Sequence, residues 1–142
     1  MVLKIEDLAI GDWVQAVTYI LDGEERLTPP AYVSAIDQSG SVSLMFDPEG
    51  GDPDEYDIEA IRPIPLTAEI LTKKGFERNS PNSWAIGSIN DANPHLCVID
   101  DEENGFCAAA QNELCVILQP TTHVHCLQHV MRMIGIDRDI RL

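Results

Sequence analysis

The first half of the chain is a succession of short apolar runs, rich in β-branched and aromatic residues and cut by Gly, Pro, Asp and Ser. Ile10-Gly11-Asp12 reads as a turn opening into an extended run from Trp13 to Leu21. Asp22-Gly23 then turns the chain into a polar loop that reaches Pro30. A second run, Ala31 to Asp37, joins Ser41 to Phe46 through Gln38-Ser39-Gly40, the spacing of a hairpin with a Gly-containing turn. A further run, Tyr56 to Arg62, is stopped by Pro63 and Pro65. Several short strands with one long early loop and no helix predict a small SH3-like β-barrel or curled antiparallel sheet over residues 1–66. Asp47 to Asp57, with Pro48, Gly50, Gly51 and Pro53, reads as a long hairpin loop, because the strand after it completes the sheet.

The period then changes. Thr67 is a natural N-cap, Leu66 and Leu71 stand at staple positions, Lys73 and Lys74 suit the C-terminal end of the helix dipole, and Gly75 can take the left-handed cap. A two-turn helix is predicted there. Residues 76–118 read as a three-stranded antiparallel meander, made of Phe76 to Gly87, Leu96 to Asp100, and Gly105 to Leu118 with a break near Gln111-Asn112. Thr121 or Thr122 is placed to cap a last helix in which Val124, Leu127, Met131 and Ile134 recur at helical spacing, and Gly135 ends it. The expected fold is α+β. An SH3-like β subdomain, 1–66, is followed by an αβββα subdomain, 67–142, packed with it as one unit.

Composition adds the sign of the charge. Of 142 residues, nine are Lys or Arg and 24 are Asp or Glu, leaving a net charge of −15. Residues 1–66 hold 14 acids and three bases, and residues 67–142 hold ten acids and six bases, so the acidity belongs mainly to the first half. Such a surface repels phosphate backbones and anionic lipid, which argues against direct nucleic-acid or membrane binding and for a protein partner with a basic surface. No run of about 18 apolar residues occurs and the start lacks the pattern of a secretion signal, so a cytoplasmic location is expected. The cysteines form no Cys-x-x-Cys pair, and Cys97, Cys107 and Cys115 sit in apolar runs as reduced core thiols would. There is no Gly-x-Ser-x-Gly elbow and no Gly-rich phosphate loop, so the enzyme classes they mark are unsupported, and no cofactor is expected.

Two acidic runs are candidate partner surfaces: Asp47, Glu49, Asp52, Asp54 and Glu55, and then Asp100, Asp101, Glu102 and Glu103 ahead of an Asn104-Gly105 turn. The first departs from a calcium loop, since Pro53 and the lack of flanking helices break that scheme. Solubility alone explains many such runs; mimicry of a nucleic acid toward a basic groove is the sharper reading. The other candidate is the helix segment His123-Val124-His125-Cys126-Leu127-Gln128-His129. His125 and His129 fall one helical turn apart, the geometry that chelates a metal, and Gln128 and Arg132 extend the region into a ligand site. No Glu follows His125 and no second ligand pair is evident, although His95 or Cys126 could come near on folding. Cys126 needs a base from elsewhere to act as a nucleophile, because adjacent helix residues point about 100° apart. Exposed Met131 and Met133 would favour a third reading, a homo-oligomer.

Three blocks together carry a resemblance: Ile10-Gly11-Asp12-Trp13-Val14 near the start, Ile64-Pro65-Leu66-Thr67-Ala68-Glu69 with Gly75-Phe76, and Val124-His125-Cys126-Leu127-Gln128. The chain resembles short uncharacterised proteins of gut bacteria and their prophages, with a Gly-Asp/Asn-aromatic-Val opening, an Ile-Pro-Leu-Thr-x-Glu segment and a Val-His-x-Leu-Gln helix. The resemblance implies a small phage-associated accessory protein and brings no reaction with it. His125, Leu127 and Gln128 match the helix pattern, whereas His123, Cys126 and His129 belong to this sequence alone. The functional expectation is a small acidic non-enzymatic binding or regulatory protein that engages a basic partner as an inhibitor or nucleic-acid mimic. The alternative is a small-ligand or metal-binding protein with its site at His125, Gln128 and His129.

Overall fold

Asp22 and Gly23 both take left-handed backbone, with φ of 52° and 79°, the geometry of a tight hairpin turn whose twist matches its strands. They fold β1 (Trp13–Leu21) back on β2 (Glu24–Leu27), so a strand stands where the sequence pattern predicts a polar loop. All four β2 side chains are exposed, and without in–out alternation the strand leaves no periodic signal. The computed structural model describes residues 3–47, 49–86, 95–101, 103, 105–111, 116–136 and 142. The chain divides into two units, residues 1–64 with Leu142 and residues 65–141.

In the first unit β3 (Ala31–Ile36), β4 (Ser41–Met45) and β5 (Asp54–Asp57) extend the sheet in the order β2-β1-β3-β4-β5, and β6 (Ile61–Pro63) pairs with β1. Every pairing is antiparallel. The single strand expected over 56–62 is divided, because Asp57 Oδ1 accepts the Glu59 N–H at 2.9 Å and starts a 3-10 turn, Ile58–Ala60, before β6. Among the described residues β5 and β6 do not pair with each other, so no closed barrel forms.

Val42 and Leu44 alternate with half-buried neighbours along β4, and a slip of one residue would turn both to solvent, which fixes the register. With Leu3, Leu8, Val14, Ala16, Ala31, Val33 and Ile61 they make one core cluster. Each of its larger aliphatic side chains contributes about 1.5–3 kcal/mol relative to exposure.

In the second unit α1 (Ala68–Lys73) starts as its sequence predicts, with Thr67 Oγ1 accepting the Ile70 N–H at 3.2 Å. Gly75, at φ 91°, reverses the chain so that the Phe76 N–H donates to the Leu71 carbonyl at 3.1 Å. A second antiparallel sheet follows: β7 (Glu77–Ser80), β8 (Ser83–Ile86), β9 (His95–Asp101), β10 (Gly105–Gln111) and β11 (Val116–Pro120), in the order β11-β10-β9-β8-β7.

The meander thus has five strands where three are predicted. The expected first strand folds into a hairpin over residues 77–86, with Gly87 outside the described residues, and 105–118 is shared between β10 and β11, with residues 112–115 of the expected break also outside them. Trp84, Ile86, Leu96, Val98 and Ala108 are buried on one face. Cys97 lies between two inward residues and so points to the opposite face, in register with Ala109, while Cys107 stands opposite Ile99. Both thiols are half-buried, which corrects their reading as core residues; Cys115 lies outside the described residues.

The last element, α2 (Val124–Ile134), packs against β10 and β11. The chain is therefore α+β, built of two antiparallel sheets and two α-helices. Among the described residues no helix is long and apolar enough to cross a membrane.

Candidate functional site

The first acidic run lies on the β4–β5 connection and on β5 itself. Asp47, Glu49, Asp52, Asp54 and Glu55 are all exposed. Their roles differ. Asp47 Oδ1 accepts the Glu49 N–H at 2.9 Å, a turn-forming bond that Asp37 repeats with Ser39 and Asp57 with Glu59. One carboxylate of the run is thus partly committed to its own backbone. Glu49, Asp52, Asp54 and Glu55 carry no ion pair among the described residues.

The two arginines of this unit are engaged elsewhere. Arg26 stands 3.9 Å from Glu24, and Arg62 donates to both carboxylate oxygens of Glu25. Among the described residues β5 is the edge of its sheet, so its acidic side chains flank a row of backbone groups that no described strand covers. Four uncompensated carboxylates beside an open strand edge make a surface able to receive cationic side chains.

The second acidic run belongs to the second unit. Asp100 and Asp101 end β9 and are half-buried, Glu103 is exposed, and Glu102 lies outside the described residues. Asp101 Oδ1 accepts the Glu103 N–H at 3.0 Å, so this run is in part the turn between β9 and β10.

α2 places the histidines. His123, not Thr121 or Thr122, occupies the N-cap, and its side chain makes no cap bond. The reason is a tertiary pairing: the Leu66 N–H donates to the Thr122 carbonyl at 3.0 Å and Pro65 bridges His123, which keeps Thr121 and Thr122 extended ahead of the helix. Thr122 Oγ1 lies 2.9 Å from His123 Nδ1. Burial lowers the His123 imidazole pKa below its ordinary value.

His125 and Gln128 are buried, His129 is half-buried and Arg132 is exposed, so the candidate ligand site runs from the interior to solvent along the helix. The His125 and His129 rings stand 5.7 Å apart at 81°, and His123 lies 6.0 Å from His125 on the other side. Cys126 Sγ is 3.7 Å from His125 Nε2; neighbouring helix residues do touch here, contrary to the expectation from their angular separation.

Among the described residues no group of three or more His, Cys, Asp or Glu is placed to hold a metal ion. His95 opens β9. Met131 is buried and only Met133 is exposed, which removes half of the apolar edge expected for a homo-oligomer.

The sequence pattern does not single out Tyr19, Ile20, Leu21 and Leu27 as candidates, yet all four are exposed on the β1–β2 hairpin. The available signal was an apolar run that continues to the hairpin turn without alternation.

In comparisons with protein-family models, with curated proteins and with solved structures, nothing matches this chain.

Proposed function

We propose that the protein is a small acidic non-enzymatic binding or regulatory protein that engages a basic protein partner through its first unit, as an inhibitor or nucleic-acid mimic in a phage-associated setting. The observation that carries the reading is the set of exposed carboxylates at Glu49, Asp52, Asp54 and Glu55, without an ion pair among the described residues, beside the open edge of β5. Like charges held together at an edge repel one another, and a cationic partner relieves that repulsion while its own field speeds the encounter.

An SH3-like arrangement of the first unit accords with this role. Its antiparallel β3–β4–β5 meander, the 3-10 turn and the return of β6 to β1 support that finer fold. The test is recovery of the tagged full chain from its own cells, with retained protein released by a salt gradient. Asp52→Lys, Asp54→Lys and Glu55→Lys combined should abolish a salt-sensitive complex, and equal recovery by the variant overturns the reading.

A second reading, a ligand or metal site at His125, Gln128 and His129 extended by Arg132, is favoured by the 5.7 Å separation of the two imidazole rings. It predicts cobalt(II) absorption bands that disappear in His125→Ala and His129→Ala while the fold persists. Bands retained in both variants exclude it.

A further inference from the structure

Burial falls steadily along β1. Trp13, Val14 and Ala16 are buried, whereas Thr18 to Leu21 and all of β2 are exposed, so the far half of this hairpin runs past the core of its own unit. Four exposed strand residues at ~3.3 Å each make an arm of roughly 13 Å. Its apolar side chains are large and open: Ile20 is 67% exposed, Tyr19 58%, Leu21 46% and Leu27 43%.

The register divides them between two faces. Tyr19 stands opposite Arg26 and Leu21 opposite Glu24 on one face, and Ile20 stands opposite Glu25 on the other, with Leu27 two residues further along β2. A bulge between Val17 and Tyr19 separates the arm from the regular ladder, and Thr18 Oγ1 donates to the Arg26 carbonyl at 2.9 Å to hold it. β2 is also a sheet edge, the opposite one from β5. An arm that is apolar on both faces and ends in an unpaired edge is the kind of exposed surface that marks an interaction site.

Charge decides the occupant. The region around the arm holds Asp22, Glu24 and Glu25; Arg26 lies 3.9 Å from Glu24 and Arg62 is bonded to Glu25 at 2.7 Å, so the negative charge left at the arm is that of Asp22 within a strongly acidic unit. Residues 1–66 carry 14 acids against three bases, and a second copy would bring a further net charge of −15 against this one.

We infer that the β1–β2 arm is the docking element for an extended segment of a basic protein, in which apolar and cationic residues alternate and which adds as a strand along the free edge of β2. The inference rests on the reading of the first unit as a binder of basic proteins, and it adds an apolar contact on the arm to the carboxylates beside β5. Main-chain bonds along β2 supply affinity, Tyr19, Leu21, Ile20 and Leu27 accept the apolar side chains, and the carboxylate of Asp22 with the net negative field of the unit favours Lys or Arg between them.

The test uses the full chain and two labelled peptides of equal charge, one alternating lysine with valine and the other lysine with serine, followed by fluorescence anisotropy across a salt series. The lysine–valine peptide is expected to bind at least tenfold more tightly. Ile20→Ser with Leu27→Ser, and separately Tyr19→Ser with Leu21→Ser, should erase that preference. All four residues are exposed, so unchanged circular dichroism and melting are expected of both variants.

Neutralising Asp52, Asp54 and Glu55, at the opposite edge, should leave the lysine–valine preference intact, and loss of the preference in that variant would move the apolar contact off the arm. Equal binding of the two peptides, unaffected by either arm variant, overturns the arm while leaving the acidic-surface reading standing if salt still weakens both. Absence of binding by either peptide at low salt overturns the two readings together. Self-association of the chain in sedimentation, abolished by the arm variants, overturns the basic segment in favour of a second copy.

Discussion

The guanidinium of Arg62 on β6 grips the Glu25 carboxylate on β2 with two hydrogen bonds, 3.0 Å from Nε and 2.7 Å from the terminal nitrogen, joining two strands that both pair with β1. The same Arg62 side chain donates to the carbonyls of Glu59 and Ile61. A planar fork that satisfies a carboxylate and two carbonyls at once cannot be replaced by lysine without loss.

The hydrogen bond from Arg62 holds the Glu25 carboxyl below the usual carboxylate range. The folded state therefore prefers the ionised form. Its contribution to stability is present above the unfolded pKa and is lost as pH falls through the lower folded value. Carbon-detected NMR titration should place Glu25 below the ordinary range of a glutamate, and Arg62→Gln should return it toward that range. An unmoved titration in the variant refutes the linkage.

His123 works in the opposite charge sense with the same sign in pH. Burial lowers its pKa, so the folded state prefers the neutral ring. Stability from this group is present above about pH 6.5, the unfolded value, and is lost as pH falls through the folded one. Melting temperature should decline from pH 7.5 to 5, less steeply in His123→Gln. Identical slopes for the two proteins would count against the assignment.

Leu127 is fully buried on α2, one turn before Met131. Leu127→Ala removes contacts the packed sheet cannot refill, and urea denaturation should show a loss of about 2–5 kcal/mol. A loss under about 1 kcal/mol would mean that α2 does not pack as described.

Thr67 caps α1 through a single side-chain bond to the Ile70 N–H. Thr67→Ala should cost about 1 kcal/mol in the same assay, and Thr67→Ser or Thr67→Asp should restore most of it. Equal stability of the alanine and serine variants would show that the cap contributes nothing.

Features set by neighbouring residues were legible in the sequence. The cap at Thr67, the left-handed turns at Gly75 and Gly135, the Asp22-Gly23 reversal and the buried stripe of Val124, Leu127, Met131 and Ile134 all follow from local chemistry. Features set by distant pairing were not. β2 exposes every side chain and so has no period to read; its existence depends on β1.

Thr121 and Thr122 have ideal cap chemistry, but pairing with Pro65 and Leu66 holds them extended and passes the cap position to His123. The buried side of α2 spans an arc of roughly 220° at 100° per residue, wider than its apolar stripe, and so takes in His125 and Gln128. That is why two polar residues read as a ligand site stand largely in the interior. The acidic positions of the first unit, in contrast, were legible by composition, since Pro and Gly around Asp47 to Glu55 exclude a regular buried element.

The charged margin of β5 has a consequence for handling the molecule. Asp54, Glu55 and Asp57 flank a ladder of amides and carbonyls that no neighbouring strand covers among the described residues, and their charge discourages pairing there. Near pH 4.3 the whole chain approaches zero net charge. Colloidal repulsion is weakest there while the strand edge stays open, so precipitates formed near that pH are expected to grow by edge-to-edge strand pairing, which a cross-β reflection in fibre diffraction would check.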